Sequence, residues 1–301
     1  MCVAWCARTL QLCSNAHRSP PSLNLSEGSV TSEIAGIREA LQKTGFPLEL
    51  EVSAILAKRK YDVWGSQFFE RDGKIIEIDM EAIMPIPPLG SMKRWHLNPS
   101  VAIECKMSRK YSWVFHKSDT SVGHCAISHG LDALALKHKN FQHLCQVLDL
   151  HYSGGDVAST FAVVDPKTQK LSTRDEIFDA VNKLREFVNY RSLQLLPHFA
   201  SQRRDIIFYF PMVVFDGMLY EGGMGTGRLS VTPINSIVLE TRTASCVTGR
   251  LDPMYIDVVT RNQFVRHLSM IEEETRKAAK KLSSKRTQDF LNREFARQMA
   301  I

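Results

Sequence analysis

The sequence lacks an apolar run long enough to cross a membrane. Its longest run, IIFYFPMVVF from Ile206 to Phe215, is about half of the roughly 20 residues that a membrane-spanning helix needs. Because this run is rich in β-branched and aromatic residues, it predicts a buried strand. We therefore expect a protein that does not use the membrane as a partner.

The sequence also lacks the cysteine pattern of a disulfide-rich secreted domain. Its seven cysteines are an odd number without regular spacing in a chain of 301 residues, whereas small secreted domains pair even numbers of cysteines. Nor do the first residues resemble a signal peptide, because Arg8 interrupts their apolar part and no clean cleavage site follows. We expect a cytoplasmic protein with a flexible leader at residues 1–29.

The composition is that of an ordinary globular protein with a basic tilt. Hydrophobic residues make up 44% and charged residues 23% of the chain, which excludes wholesale disorder. The net charge of +6 and the pI near 8.9 favour acidic partners, since a positive surface attracts polyanions and releases their counterions. Many unrelated proteins are equally basic, so charge alone indicates nucleic acid only weakly.

Hydrophobic periodicity and turn residues predict alternating helices and strands. In chain order these are helices at 30–44 and 47–60, strands at 61–70, 74–82 and from 101, a helix at 126–150, a strand at 157–164, a helix at 173–196, strands at 206–215, 236–242 and 255–260, and a charged helix from about 262. Asp72-Gly73 predicts a hairpin turn. The proline-rich segment 85–100 predicts a loop, since proline disrupts helices and central strands.

The segment VAIECKMS, which begins at Val101, carries the first chemical signal. Alternate side chains of a strand share a face, so Glu104 and Lys106 lie together while their apolar neighbours point the other way. The same rule places Glu77, Asp79 and Glu81 on one face of the second hairpin strand. If the two strands pair, carboxylates meet beside a lysine.

Such a group suits hydrolysis of a phosphodiester. Carboxylate oxygens hold Mg²⁺, which polarises the phosphate and lowers the pKa of a bound water, while a lysine can hold the attacking water or offset charge on the phosphoryl oxygens. A solvated sheet face with cross-strand ion pairs is the alternative, and it explains most isolated E-x-K triplets. The order of the elements favours the first interpretation: a helix with Glu49, a hairpin with Asp79, a proline-rich loop, then the strand with Glu104 and Lys106.

From GFPLELEVSAILAKRKYDV through GKIIEIDMEA to VAIECKMS, the chain resembles the PD-(D/E)xK nuclease superfamily, in particular its Mrr-like and resolvase-like branches. The resemblance covers residues 45–116 and continues more loosely to residue 264. It implies an α/β fold of the restriction-endonuclease-like kind, a central mixed sheet flanked by helices with a helix-strand-strand-strand-helix-strand core. Helical insertions and a C-terminal helix at 262–301 would extend the domain at 30–261. It also implies cleavage of DNA, less often RNA, with Mg²⁺ or Mn²⁺.

Carried over residue by residue, the resemblance makes Asp79 and Glu104 metal-binding carboxylates and Lys106 the catalytic lysine. The backbone carbonyl of Cys105 would be a further metal ligand. Glu49 matches the helix glutamate of these branches, three residues before an apolar position of the helix, with Glu51 as its rival. One departure is that Ile78 precedes Asp79 where the family's pattern has proline.

Other motifs carry less weight. The histidines and cysteines between His124 and Cys145 match no compact zinc pattern. EGGMGTGR, from Glu221, lacks the end of a phosphate-binding loop and predicts a hairpin connection. Trp113 and His116 suit either a substrate groove or the core. The basic residues of the last helix, Lys280, Lys281, Lys285 and Arg286, suit either solvent or phosphate contact.

The sequence therefore predicts a metal-dependent endonuclease, acting in defence or repair as many relatives do, with DNA favoured over RNA as the substrate. The alternative is a catalytically silent nucleic-acid-binding or scaffold module of the same fold. The retained Asp79, Glu104 and Lys106 favour the enzyme, because a silent copy is free to lose them. A homo-oligomer or a larger complex stays open.

Overall fold

The structure is a computed structural model that describes residues 27–71, 73–86, 95–117, 150–153, 157–172, 176–195, 204–224, 227–244 and 251–285, with 289 and 293. For residues 27–31, 95–97, 153, 192–195, 204–206, 242–244 and 251–253 only the backbone is described. The chain divides into one compact unit of Met1–Lys43 and a second of Thr44–Ile301. The helix predicted at 126–150 and the histidine-rich motif within it lie outside the described residues.

The first unit contributes one described helix, α1 (Glu27–Gln42), which starts a few residues earlier than predicted. The second unit contains α2 (Phe46–Lys58), α3 (Glu176–Leu195) and α4 (Phe264–Leu282). Its strands are β1 (Asp62–Arg71), β2 (Lys74–Ile83), β3 (Trp95–Met107), β4 (Ser112–Lys117), β5 (Val157–Asp165), β6 (Lys170–Leu171), β7 (Arg204–Asp216), β8 (Leu219–Met224), β9 (Leu229–Ile234), β10 (Ser236–Ala244) and β11 (Leu251–Thr260). These bounds confirm the predicted helices and strands that fall on described residues, except that α4 ends at Leu282 instead of continuing unbroken to residue 301.

The described strands form one mixed sheet of 11 strands in the order β1-β2-β3-β7-β11-β10-β5-β4-β8-β9, with β6 beside β5. β1 and β2 form the predicted antiparallel hairpin, and β3 runs antiparallel to β2 but parallel to β7. β8 and β9 form a second hairpin. The glycine-rich motif was predicted to be the connection, but its first half, Glu221 to Met224, belongs to β8 itself. The fold is therefore α/β with a large mixed sheet.

Helices cover both faces of the central strands. Alternate residues of β7 pack into two separate cores: Phe210 and Met212 contribute to one core, and Tyr209 and Val213 to the other. The first core contains the buried residues of α2 and α4, and the second contains those of α3. We call these surfaces of the sheet the α2/α4 face and the α3 face. Along β7, residues of one parity therefore face α2 and α4, and residues of the other parity face α3.

Helix α4 has one buried face and one exposed face. Its buried residues include Phe264, Leu268 and Ile271, which pack into the core on the α2/α4 face. Glu272 on this helix accepts two hydrogen bonds from Arg59, at 2.8 Å from Nε and 2.7 Å from Nη2. Because both groups are largely buried, this two-point contact ties α4 to the end of α2.

The loop predicted at 85–100 is wrong at its second half, because β3 begins at Trp95 and includes Pro99. The Pro99 carbonyl accepts a hydrogen bond from the Met84 backbone N–H at 3.1 Å. Since the N and O of one strand residue point to the same side, the missing N–H of Pro99 faces away from β7. It lies just beyond the last β2 pair, Ile83 with Ser100, so the proline removes no hydrogen bond from the β3–β7 ladder.

Across the part of the chain that the structure describes, no helix combines the length and the apolar character needed to cross a membrane.

Candidate functional site

Glu104 and Lys106 lie on the same face of β3, as the alternation predicted. Their apolar neighbours Ile103 and Cys105 pack into the core on the α2/α4 face. The Glu104 side chain is fully buried, and Lys106 Nζ donates a hydrogen bond to its Oε2 at 2.6 Å. A buried carboxylate is tolerated only when it is paired, and Lys106 provides this pairing for Glu104.

β2 and β3 diverge where these residues lie. The two strands pair over only four residues of each, Met80–Ile83 with Ser100–Ile103. Asp79 and Glu104 are therefore the first residues of β2 and β3 beyond the paired stretch. In the opening, Asp79 Oδ2 accepts a hydrogen bond from the Cys105 backbone N–H at 2.6 Å. We call this opening, together with Asp79, Glu104, Cys105 and Lys106, the strand fork.

Side-chain alternation along β2 breaks at the strand fork. Ile78 packs into the core on the α3 face, whereas Met80 packs into the core on the other face. Opposite Asp79 in the hairpin lies Ser66, which has a left-handed φ of 41°. The two hairpin strands thus change faces at the same level, and Asp79 turns into the gap between β2 and β3.

The expectation that Glu77, Asp79 and Glu81 share one face is therefore wrong. Glu81 is buried and pairs with Arg191 of α3, at 3.0 Å from Arg191 Nη2 to Glu81 Oε2. Glu77 is exposed and lies close enough to Glu49 of α2 to influence its titration. Of the three carboxylates on this strand, Asp79 contacts β3 beside Glu104, whereas Glu81 accepts a hydrogen bond from Ser100 Oγ, further back on β3, and pairs with Arg191.

Helix α2 brings Glu49 to the strand fork. A β-carbon placed on Gly45 would lie 3.5 Å from Glu49 Oε1 and 3.9 Å from the Cys105 carbonyl oxygen. The two oxygens therefore border the same small space, which Gly45 leaves open. Glu51, the alternative to Glu49 in the sequence analysis, instead forms an ion pair with Arg261, with 3.0 Å between Arg261 Nε and Glu51 Oε1. The carboxylate of α2 that faces the strand fork is therefore Glu49.

Burial and the nearby Asp79 charge raise the pKa of two carboxyl groups, Glu104 and Glu49. Desolvation raises the pKa of Glu104, with Asp79 adding to the shift and Lys106 opposing it. Burial and the Asp79 charge likewise raise the pKa of Glu49. For Lys106, burial favours the neutral amine, yet the adjacent Glu104 outweighs it and raises the lysine's pKa. Lys106 is therefore held as a cation beside Glu104.

The sequence reasoning missed Lys183 of α3. Its Nζ lies 3.3 Å from both carboxylate oxygens of Glu104, and its side chain is 34% exposed. Glu104 thus contacts one lysine from its own strand and one from the helix covering its face. The helical pattern of α3 places Lys183 beside the buried residues Leu184 and Ala180, at the edge of the buried face of the helix. Nothing in the sequence connects Lys183 to Glu104, 79 residues away.

The sequence reasoning also missed a group on the opposite face of the sheet. His151, Asp257 and His267 place one ligand atom each within 4.8 Å of one another. Burial disfavours the charged forms, but the His151 and His267 rings hold the pKa of Asp257 below its usual range. In turn, despite its burial, the carboxylates of Asp257 and Glu274 raise the pKa of His151 to about 10. We call these three residues the histidine–aspartate cluster.

No protein-family model, no curated protein and no solved structure matches the chain. The functional interpretation therefore depends on the residues of the strand fork and their geometry.

Trp113 and His116 follow Lys106 closely in sequence but do not belong to the strand fork. Trp113 is fully buried and stacks on Phe215 with 3.9 Å between ring centroids, so it belongs to the core. His116 is exposed on β4, and its Nδ1 lies 3.0 Å from the Gly222 carbonyl oxygen. Neither side chain contributes to the carboxylate and lysine group.

Proposed function

We propose that the chain is a Mg²⁺-dependent endonuclease that hydrolyses phosphodiester bonds of nucleic acid, with DNA favoured over RNA. The observation that carries this proposal is the meeting of Asp79, Glu104 and Lys106 at the point where β2 and β3 diverge. Carboxylates beside a lysine can bind a metal ion and stabilise developing negative charge, as hydrolysis of a phosphate ester requires.

The order of elements also supports a restriction-endonuclease-like fold. A helix (α2), three strands (β1, β2 and β3), a helix (α3) and a strand (β7) follow one another, with β4, β5 and β6 inserted before α3. The candidate residues come from the members of this series that such a core requires, namely α2, β2 and β3.

The residues of the strand fork fit a magnesium ion. The donors are all hard oxygens: the carboxylates of Asp79 and Glu104 and the carbonyl of Cys105, which Mg²⁺ prefers while keeping several waters. The space beside Gly45 adjoins the Cys105 carbonyl and Glu49 Oε1, so there is room at these oxygens. When bound, Mg²⁺ would polarise the phosphate and supply a water of lowered pKa.

The side chains around this site have separate tasks. Lys106 Nζ, now bonded to Glu104 Oε2, can donate a hydrogen bond to the attacking water or to a phosphoryl oxygen that gains charge. Glu49 is raised in pKa by burial and by Asp79, and such a carboxylate is suited to accept a proton from the water. The Cys105 N–H holds Asp79 in place.

The direct test is an assay for cleavage. The purified full chain is incubated with supercoiled plasmid, single-stranded DNA and RNA, with and without Mg²⁺ or Mn²⁺. We expect metal-dependent cleavage that Asp79→Asn abolishes, whereas the exposed carboxylate Glu70 on β1 provides a matched control, and Glu70→Gln should cleave normally. Binding of nucleic acid without cleavage of any substrate would overturn the proposal in favour of a catalytically silent binding module.

A further inference from the structure

A second set of buried ligand atoms lies where three elements meet on the α2/α4 face. His151 belongs to the 3-10 turn at His151–Ser153, Asp257 to β11 and His267 to α4. We propose that these three residues bind a divalent transition-metal ion, with Zn²⁺ as the best match. Two imidazole nitrogens and one carboxylate are a ligand set that zinc commonly uses.

The spacing of the three groups suits one small ion. His151 Nε2 lies 3.0 Å from Asp257 Oδ1, and His267 Nε2 lies 3.1 Å from Asp257 Oδ2. Ligands about 2.0–2.1 Å from a tetrahedral zinc ion are about 3.3 Å apart. Both rings therefore already present the same nitrogen to the same carboxylate at close to the required separation.

Groups outside the cluster hold the ligands in orientation. Glu274 Oε2 lies 2.7 Å from His151 Nδ1, the ring nitrogen that faces away from Asp257. The Tyr152 hydroxyl donates a hydrogen bond to Asp257 Oδ2 at 2.8 Å. A carboxylate on the far nitrogen of a metal-binding histidine, and a hydrogen bond to the metal-binding carboxylate, are the usual outer supports of a metal site.

His267 Nε2 has the least well aligned contact of the cluster. The residue is 7% exposed, and its Nε2 lies 3.1 Å from Asp257 Oδ2, at ion-pair distance but without the alignment of a good hydrogen bond. Buried polar atoms normally have a partner with good geometry. A metal ion between the two rings and the carboxylate would satisfy this nitrogen.

The two histidines of the cluster border a cavity. A cavity of about 740 Å³ adjoins the cluster and is lined by both His151 and His267 together with polar residues such as Ser236 and Gln263. Three protein ligands with an open side leave room for a water molecule to complete the coordination of zinc. Because the ligands come from three elements, a bound ion would clamp β11, α4 and the turn together.

This site is separate from the strand fork and does not depend on the proposed nuclease activity. β3 and β7 lie between β2 and β11 in the sheet, so three steps of about 4.8 Å separate Asp79 from Asp257 across the strands. Glu104 also lies on the α3 face, while Asp257 lies on the α2/α4 face. The two sites can be altered independently.

The test measures metal in the full chain. Protein stripped with chelator is titrated with Zn²⁺, and Co²⁺ is used as a spectroscopic probe because four-coordinate Co²⁺ absorbs visible light. We expect one tightly bound Zn²⁺ per chain, a rise in thermal midpoint with Zn²⁺, and loss of both in His267→Gln. His116→Gln, which changes an exposed histidine on β4, and Asp79→Asn, which alters the strand fork, should keep the Zn²⁺.

Glu274→Gln guards against a misfolded His267 variant, since it leaves all three ligands in place. If Glu274 orients His151, this variant should fold and bind Zn²⁺ about 10- to 100-fold more weakly. Absence of stoichiometric Zn²⁺ or Co²⁺ binding by the wild-type chain would overturn the proposal. Unchanged binding in both His267→Gln and Glu274→Gln would do so as well, because the ion would then be held elsewhere.

Discussion

Replacing Lys183 by methionine tests the electrostatics of the strand fork most finely. Methionine keeps most of the apolar stem and removes the charge that lies 3.3 Å from both oxygens of Glu104. If Glu104 binds Mg²⁺, Lys183 competes with the ion for this carboxylate and repels it. Lys183→Met should therefore bind Mg²⁺ more tightly than the wild-type chain.

The size of the effect follows from the distance and the exposure. Two unit charges 3.3 Å apart interact by about 1.3 kcal/mol in bulk water and about 5 kcal/mol at an effective dielectric constant of 20. Because 34% of the Lys183 side chain is exposed, solvent screening moves the value toward the lower limit. A gain of about 1–2 kcal/mol corresponds to roughly 5- to 30-fold tighter binding.

Isothermal titration of chelator-treated protein with Mg²⁺ measures this change. Mg²⁺ is the suitable ion because it prefers oxygen ligands and competes poorly for the histidine–aspartate cluster. Lys170→Met, which removes an exposed lysine from β6, is the matched control and should leave the affinity unchanged. Equal or weaker Mg²⁺ binding in Lys183→Met would refute the reasoning, since Glu104 would then not be a metal ligand.

Three further changes have defined outcomes. Gly45→Ala should fold, because its φ of −69° suits alanine, but should raise the Mg²⁺ concentration for half-maximal cleavage severalfold by filling the space at the strand fork; unaltered metal dependence would contradict this. Leu56→Ala, which truncates a buried side chain, should lower the free energy of unfolding by about 2–5 kcal/mol, measured by urea denaturation. Leu50→Ala, at an exposed position, should change it by less than about 0.5 kcal/mol. Replacing Lys280, Lys281 and Lys285 together by glutamine should reduce the slope of log affinity for DNA against log salt concentration. The reduction should be up to about 0.9 for each phosphate that these lysines neutralise in the wild-type chain. An unchanged slope would show that the three lysines face solvent.

The sequence predicted those parts of the site that depend on local periodicity. β3 is buried on both sides, so its polar residues, Glu104 and Lys106, stand out from an apolar run. Helix α2 is equally legible, because Leu48, Val52 and Leu56 are spaced for one helical face and all are buried. Local rules were sufficient here since each element's own side chains decide which way it faces.

The remaining features depend on contacts between distant segments. The break at Asp79 accompanies a left-handed Ser66, which no period-2 rule anticipates. Pro99 is accepted in β3 because its nitrogen faces away from β7, which depends on which strand lies on each side. Lys183 reaches Glu104 only because α3 covers that face of the sheet.

The histidine–aspartate cluster shows the same limit most clearly. His151 and Asp257 are 106 residues apart in sequence and match no compact ligand motif. The packing of α4 and of the 3-10 turn at His151–Ser153 against β11 brings the two histidines to one carboxylate.

The central claim is that Lys106 acts on the scissile phosphate, and a comparison of cleavage with binding in Lys106→Ala tests it most directly. One lysine at the reacting phosphate matters far more to the transition state than to a grip spread over many phosphates. Single-turnover cleavage of plasmid DNA should therefore be abolished, while DNA affinity at fixed salt stays close to that of the wild-type chain and Mg²⁺ still binds. Full cleavage by carefully purified Lys106→Ala protein would contradict the account and place the chemistry elsewhere.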